Sequence, residues 1–149
     1  MPNHTAANKL VDTHCHIDIP VFDDDREEVI NRAAALGVKS IIVPAVSRST
    51  WQNTITVCDQ YSQLHLALGL HPVFIEQHQL QHLTELEELT RQHKPIAVGE
   101  IGLDYYLQDL DKLKQRRYFT RQVIIAKEHR LPVIIHNRKA HDECLSILK

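Results

Sequence analysis

Five short apolar runs, at residues 10–13, 40–44, 65–70, 96–101 and 132–136, alternate along this chain with five stretches of helical periodicity. No other feature restricts the fold as much. Strand, helix, strand, repeated, predicts parallel strands with helical crossovers, because a parallel neighbour is reached only through a long connection. The runs recur about every thirty residues, the size of one βαβ unit. Ile41-Ile42-Val43 and Pro132-Val133-Ile134-Ile135 are continuously apolar, as expected of a sheet covered on its faces. No Gly-x-Gly-x-x-Gly follows the first strand, and no phosphate-loop motif occurs, so dinucleotide-binding sheets and phosphate-loop NTPases are disfavoured.

The helices have their own signals. Residues 25–36 carry Val29, Ile30, Ala33 and Ala34 on one face and stop at Gly37, with Asp24 and Glu27 spaced as a capping box. Residues 50–61 form a weaker helix. Residues 80–92 place Leu83, Leu86 and Leu89 at steps of three, residues 112–129 carry an inner stripe of Phe119, Val123 and Ala126, and residues 140–148 form the last helix. His78, His82 and His93 fall in polar helical surroundings and are expected at the solvated surface.

Composition narrows the class. The 149 residues suffice for one domain with a real core, and 43% hydrophobic with 24% charged residues is the balance of a globular protein. No run is long enough to span a bilayer, and residues 1–8 lack a signal-peptide core. Three cysteines, Cys15, Cys58 and Cys144, without a Cys-x-x-Cys pair, indicate neither a disulfide framework nor a zinc knuckle and point to a reducing cytoplasm. Cys15 is expected to pack against a helix. A net charge of −2 gives no long-range pull on nucleic acid, so a polyanionic substrate would have to be held locally.

In a parallel barrel, chemistry gathers at the C-terminal strand ends. The first strand ends in His14 and His16, spaced i, i+2 so that both imidazoles share a face and can chelate a divalent metal, or simply close a strand. The third offers His71, the fourth Glu100 and Asp104, the fifth His136 and Arg138. Glu100, between Val98-Gly99 and Ile101-Gly102, needs either a cation or a buried salt bridge. His136 reads as a ligand or a hydrogen-bonded core histidine. Arg138 shares its side and suits a bidentate phosphate clamp or a loop salt bridge. His71 and Asp104 read as substrate-side residues or as loop-ordering groups, and Asp12 as a group that orients a ligand imidazole.

The runs Val11-Asp12-Thr13-His14-Cys15-His16-Ile17-Asp18, Ala67-Leu68-Gly69-Leu70-His71-Pro72, Gly99-Glu100-Ile101-Gly102-Leu103-Asp104-Tyr105-Tyr106 and Pro132-Val133-Ile134-Ile135-His136-Asn137-Arg138 resemble those of TatD-type metal-dependent hydrolases. The resemblance covers essentially the whole chain. It implies an α/β TIM-type (β/α) barrel of the amidohydrolase superfamily, of which this chain carries about five of eight β/α units as a single partial domain over residues 1–149. It implies a divalent-metal hydrolase, a phosphodiesterase or deoxyribonuclease with two ions (zinc, manganese or magnesium), acting on DNA. A hydrolase of small esters or amides, or a non-catalytic fragment, are the alternatives. By position, His14, His16 and Glu100 would hold one ion, and Glu100 would bridge to a second bound also by His136. Arg138, Asp104 and His71 would face the substrate, DNA or a small phosphate ester. The pattern's sixth-strand histidine and eighth-strand aspartate lie outside these five units. Open strand edges lead to the expectation that the chain self-associates or is completed by a C-terminal segment.

Overall fold

Each apolar run becomes a strand because β-branched and aliphatic residues suit the pleated, buried interior of a parallel sheet. The computed structural model describes residues 9–149. Its strands are β1 (Leu10–Asp12), β2 (Val38–Pro44), β3 (Leu64–Leu68), β4 (Ala97–Asp104) and β5 (Val133–Arg138), in spatial order β1-β2-β3-β4-β5. All four neighbouring pairs are parallel. A doubly wound sheet reverses its strand order at a switch point; this one never does. With right-handed crossovers a monotonic order keeps every helix on one face, and the sheet curls as half of a barrel. The helices are α1 (Arg26–Ala35), α2 (Arg48–Gln60), α3 (Leu80–His93), α4 (Lys112–His129) and α5 (His141–Leu148), with single 3-10 segments at Pro20–Phe22 and Pro72–Gln77. Among the described residues no helix is long and apolar enough to cross a membrane.

Two apolar clusters fill the space between sheet and helices. One gathers Ile17, Ile30, Ile41, Val43 and Val57 under α1 and α2, with Cys15 packed against it as expected. The other, built on Leu68, Leu86, Val98, Ile101, Phe119 and Ile125, lies beneath α3 and α4. The cysteines are all free.

The fold departs from the sequence expectation in instructive ways. β5 is only partly buried over Val133–His136, although its composition reads as a fully covered strand, because it is an edge of the sheet. β1 is the other edge, with Leu10 and Val11 about half exposed. The helix α1 is not capped by the Asp24/Glu27 pair: its N-cap is Asp25, without a side-chain cap, and Asp23 instead pairs with Arg26 at 2.6 Å. The inner face of α4 includes Gln115 and Gln122, each 1% exposed, whereas Val123 is only half-buried. His78 and His82 are buried, at 3% and 8% exposure, not surface residues. His82 Nδ1 accepts from the Gln79 backbone N–H and so starts α3.

Gln115 and Gln122 have a definite task. A strand end carries backbone groups that no ladder satisfies, and buried ones need partners. Gln122 Oε1 accepts from Leu70 N–H at 2.7 Å while its Nε2 donates to Leu70 C=O at 3.2 Å. Gln115 brackets Asp104 in the same way, at 2.8 and 3.1 Å. One helix therefore holds the ends of β3 and β4. Replacing Gln122 by Leu strands both Leu70 groups, and at about 1–3 kcal/mol per orphaned buried group the loss is expected to be about 3 kcal/mol in equilibrium urea unfolding.

Candidate metal centre

The candidate site is assembled where the strands stop. Beyond Asp12 the chain continues extended, and Cys15 N–H donates to Ile42 C=O at 3.0 Å, so pairing with β2 persists past the end of β1. That extension keeps the alternation which turns His14 and His16 to one side and Cys15 to the other. Arg26, largely buried, donates from Nε to Ile17 C=O at 2.8 Å and fixes the loop that follows His16. Asp18, also buried, accepts from Thr54 Oγ1 at 2.5 Å and ties the same loop to α2. Asp12 accepts from the His14 backbone N–H at 3.0 Å, so it braces the main chain of that residue and not an imidazole.

β4 brings Glu100 into the group. The β4–β5 register shifts between Val98 and Ile101, a bulge that re-aims the side chain it contains. Further along, Gly102 has φ +139°, and a Cβ there would lie 2.0 Å from the His136 carbonyl oxygen. Only glycine lets β5 come this close, and that approach sets His136 beside Glu100.

The resulting geometry is a ring of electron-pair donors. His14 Nε2 and His16 Nε2 face each other at 3.3 Å, and His14 Nε2 is 3.1 Å from Glu100 Oε2. Glu100 Oε1 is 3.3 Å from His136 Nδ1 and 3.4 Å from His71 Nε2. The ligand atoms of His14, His16 and Glu100 lie within 4.8 Å of one another, as do those of His71, Glu100 and His136. His136 Nε2 lies 2.9 Å from Asp104 Oδ2 and Nδ1 lies 3.3 Å from Glu100 Oε1, so both ring nitrogens face carboxylates; with the single proton of a neutral ring on Nε2, the Nδ1 lone pair points at a carboxylate oxygen. Two acceptors meeting in this way call for a proton or a cation between them. A carboxylate–imidazole pair that exposes the other ring nitrogen is the usual support for a metal ligand, so the donor set fits a divalent ion.

Titration behaviour follows from the same contacts. Burial pushes the Glu100 carboxyl up, but hydrogen bonds from His136 and His71 and the nearby His14 outweigh it, and its pKa falls well below the usual range. The hydrogen bond with Glu100 raises the His136 pKa against burial, with Asp104 adding to the effect. Asp104 is fully buried; desolvation is opposed by His136 and by the Leu107 and Tyr106 N–H groups, and its pKa is lowered. Cys58, buried far from water, has its thiol pushed up to about 12 by desolvation and by Asp18 and Asp59, which makes it a packing group and no nucleophile.

His71, His136, His14, His16, Glu100 and Asp104 thus converge, and Arg138 stands at their margin. Its guanidinium stacks 3.8 Å above the Tyr106 ring and reaches Asp104 Oδ2 at 3.9 Å, while about half of it remains in solvent. Asp104 is enclosed behind His136, its carboxylate held by the Tyr106 and Leu107 N–H groups and its backbone N–H by Gln115, while His71, 8% exposed, lies beside Glu100 with Nδ1 accepting from Val73 N–H and reaches the wall of an adjoining pocket. A pocket of about 320 Å³ opens next to the cluster, with apolar walls of Ile19, Val46, Val73 and Phe74 that reach His16 and Glu100.

Sequence reasoning overlooked the supports. His78 Nε2 donates to His71 C=O at 2.9 Å, Trp51 Nε1 donates to Gly69 C=O at 3.0 Å, and Gln122 grips Leu70 between them. Gln115 and Gln122, seven apart in a helix whose other inner residues are apolar, carried the one signal that reading could have used.

A half-barrel with imidazoles and buried carboxylates at its C-terminal rim defines a class, and comparison with known proteins gives the family. A family described as TatD related DNase matches residues 11–149, and the chain belongs to it. It is 40% identical over 143 residues to the uncharacterized metal-dependent hydrolase YjjV of Escherichia coli K12, covering 95% of this chain and 55% of that protein. The uncharacterized metal-dependent hydrolase YabD of Bacillus subtilis is 39% identical, with 94% and 55% covered. The crystal structure of YjjV superposes with a TM-score of 0.88 at 38% identity over 93% of this chain and 54% of that one. A TatD-family hydrolase from Entamoeba histolytica gives 0.84 at 25% identity, with 95% and 54% covered. The chain spans about half the length of the relatives it matches.

His78 makes the support measurable. Its pKa is lowered to about 4, chiefly by burial, against an ordinary value of about 6.5. Above pH 6.5 folded and unfolded chains are both neutral there. As pH falls from about 6.5 to about 4 the unfolded chain takes up a proton that the folded chain refuses, so stability drops, by up to about 3 kcal/mol. His78→Gln is expected to abolish this slope, read as the difference between variant and parent in urea unfolding at pH 7 and pH 4.5.

Proposed function

We propose that this chain carries metal ligands of a metal-dependent phosphodiesterase that acts on DNA. One observation carries the reading: the two oxygens of Glu100 serve different partners, Oε2 toward His14 at 3.1 Å and Oε1 toward His136 at 3.3 Å. A single carboxylate spanning two imidazole groups is what a bridged pair of cations requires. In this reading His14, His16 and Glu100 hold one divalent ion, and Glu100 and His136 contribute to a second. Zinc, manganese and magnesium all suit a set of imidazoles and a carboxylate. Bound there, such ions supply Lewis acidity toward water and phosphoryl oxygens and screen negative charge.

The chain's own residues do the rest. Asp104 holds the proton of His136 on Nε2 and keeps Nδ1 free. Arg138, pre-oriented by its stack on Tyr106, grips a phosphate oxygen pair with its exposed edge. Local cations of this kind answer the net charge of −2, which offers no general attraction for a polyanion. The apolar pocket beside His16 supports a second reading, hydrolysis of a compact ester or amide by the same ligands. Single-stranded oligonucleotide set against p-nitrophenyl phosphate and p-nitrophenyl acetate separates the two.

Two outcomes test the proposal. Glu100→Gln is expected to weaken manganese binding in calorimetry by more than about 100-fold, beyond the range for loss of an outer partner, and to abolish manganese-dependent cleavage of an oligonucleotide. Unchanged binding in that variant overturns the ligand assignment. Arg138→Ala is expected to raise KM for the oligonucleotide by about tenfold, the loss of one charge-assisted contact of about 1.5 kcal/mol, with manganese affinity unmoved.

A further inference from the structure

His71 meets the distance criterion for a metal ligand beside Glu100 and His136, yet its hydrogen bonding says otherwise. Its Nδ1 accepts from the Val73 backbone N–H at 3.1 Å and caps the 3-10 segment that begins at Pro72. A backbone N–H only donates, so Nδ1 carries no hydrogen. The single proton of the neutral ring then sits on Nε2, the atom 3.4 Å from Glu100 Oε1. An imidazole that binds a metal through Nε2 needs that lone pair free and gives its other N–H to an acceptor. His136 has such an acceptor in Asp104; His71 has a donor where the acceptor would have to be.

The ring has little freedom to exchange its nitrogens. Only 8% of His71 is exposed, and the ring lies edge-on to His136 at 4.4 Å and to Phe74 at 6.0 Å. Its main chain is held by His78 on the carbonyl and by Gln122 on the preceding residue. Turning the ring over would lose the cap and present a carbon to Val73 N–H.

We propose that His71 is a positioning residue for Glu100: a neutral imidazole, protonated on Nε2, that donates to Oε1 and holds the carboxylate in its two-sided orientation without ligating an ion. The role of Glu100 rests on the function proposed above; the state of the His71 ring does not.

The test uses the intact chain labelled with 15N at histidine. In the absence of metal, the His71 ring is expected to show a protonated Nε2 and an unprotonated Nδ1 in long-range 1H–15N spectra. On addition of zinc, ring nitrogens of His14, His16 and His136 are expected to shift as ligands while Nε2 of His71 keeps its proton. His71→Asn retains an oxygen for the Val73 cap but is too short to reach Glu100, whereas His71→Gln restores an amide donor near the Nε2 position. His71→Asn is expected to bind the same number of zinc ions about 10–100-fold more weakly, the range for loss of an outer partner, with His71→Gln recovering most of the loss. Loss of one equivalent of zinc in His71→Asn, or a His71 Nε2 that loses its proton to zinc, overturns the proposal. Should the parent chain bind no zinc, the proposed function fails by itself, and the metal-free spectrum still decides: a proton on Nδ1 refutes the inference. The same spectrum decides if His71→Asn does not fold.

Discussion

A carboxylate withdrawn from water at the rim of a parallel sheet is the constraint around which this molecule is organised. Glu100 is 9% exposed and sits in a strand whose every residue is buried. A desolvated charge of that kind is tolerated only with partners. It draws on His14 beyond the first strand, His71 beyond the third and His136 in the fifth, so three segments distant in sequence must end at one point. The strand order supplies them: a monotonic parallel arc sets every strand's C-terminal end on the same rim. The bulge in β4 and the glycine at 102 are the local adjustments that bring β5 near enough.

Holding the rim together is a separate problem, and it is solved mostly with amides and an indole, groups that form hydrogen bonds without carrying charge. Trp51, Gln115, Gln122 and His78 each satisfy backbone atoms just where the ladders run out. Neutral partners suit this position. An ion brought so near Glu100 would compete for its lone pairs or repel the histidines, whereas an amide satisfies the main chain and leaves the electrostatics of the cluster to its own members.

Much of this was legible in the residues. The alternation of runs located all five strands and all five helices, because burial on a parallel sheet imposes near-continuous apolar stretches. The His-x-His pair, the lone acid between glycines and the histidine after four β-formers drew attention to the atoms that converge. What was not legible depends on position in space. That the sheet has open edges follows from the count of five β/α units, but the composition of Val133-Ile134-Ile135 does not show β5 to be one of them, since it records affinity for a core and not whether a neighbour arrives. His78 and His82 sit among glutamines and acids and look solvated; Tyr118 stacks on one, and a helix start is built on the other. Asp24 and Glu27 have the spacing of a capping box, but Asp23 and Arg26 formed the stronger, charge-assisted contact and moved the helix start by one residue. His71 and Asp104 were recognised as polar strand ends, while the direction each faces depends on hydrogen bonds to Val73, Tyr106 and Leu107 that spacing does not reveal.

The two glutamines on α4 have one more implication. They lie on one rigid rod, two turns apart, and each holds a different strand terminus, one leading into His71 and the other ending in Asp104. When the helix shifts against the sheet, both termini travel with it. Relative spacing across the rim is then insulated from such drift, much as two instruments bolted to a common bench keep their alignment while the bench itself vibrates.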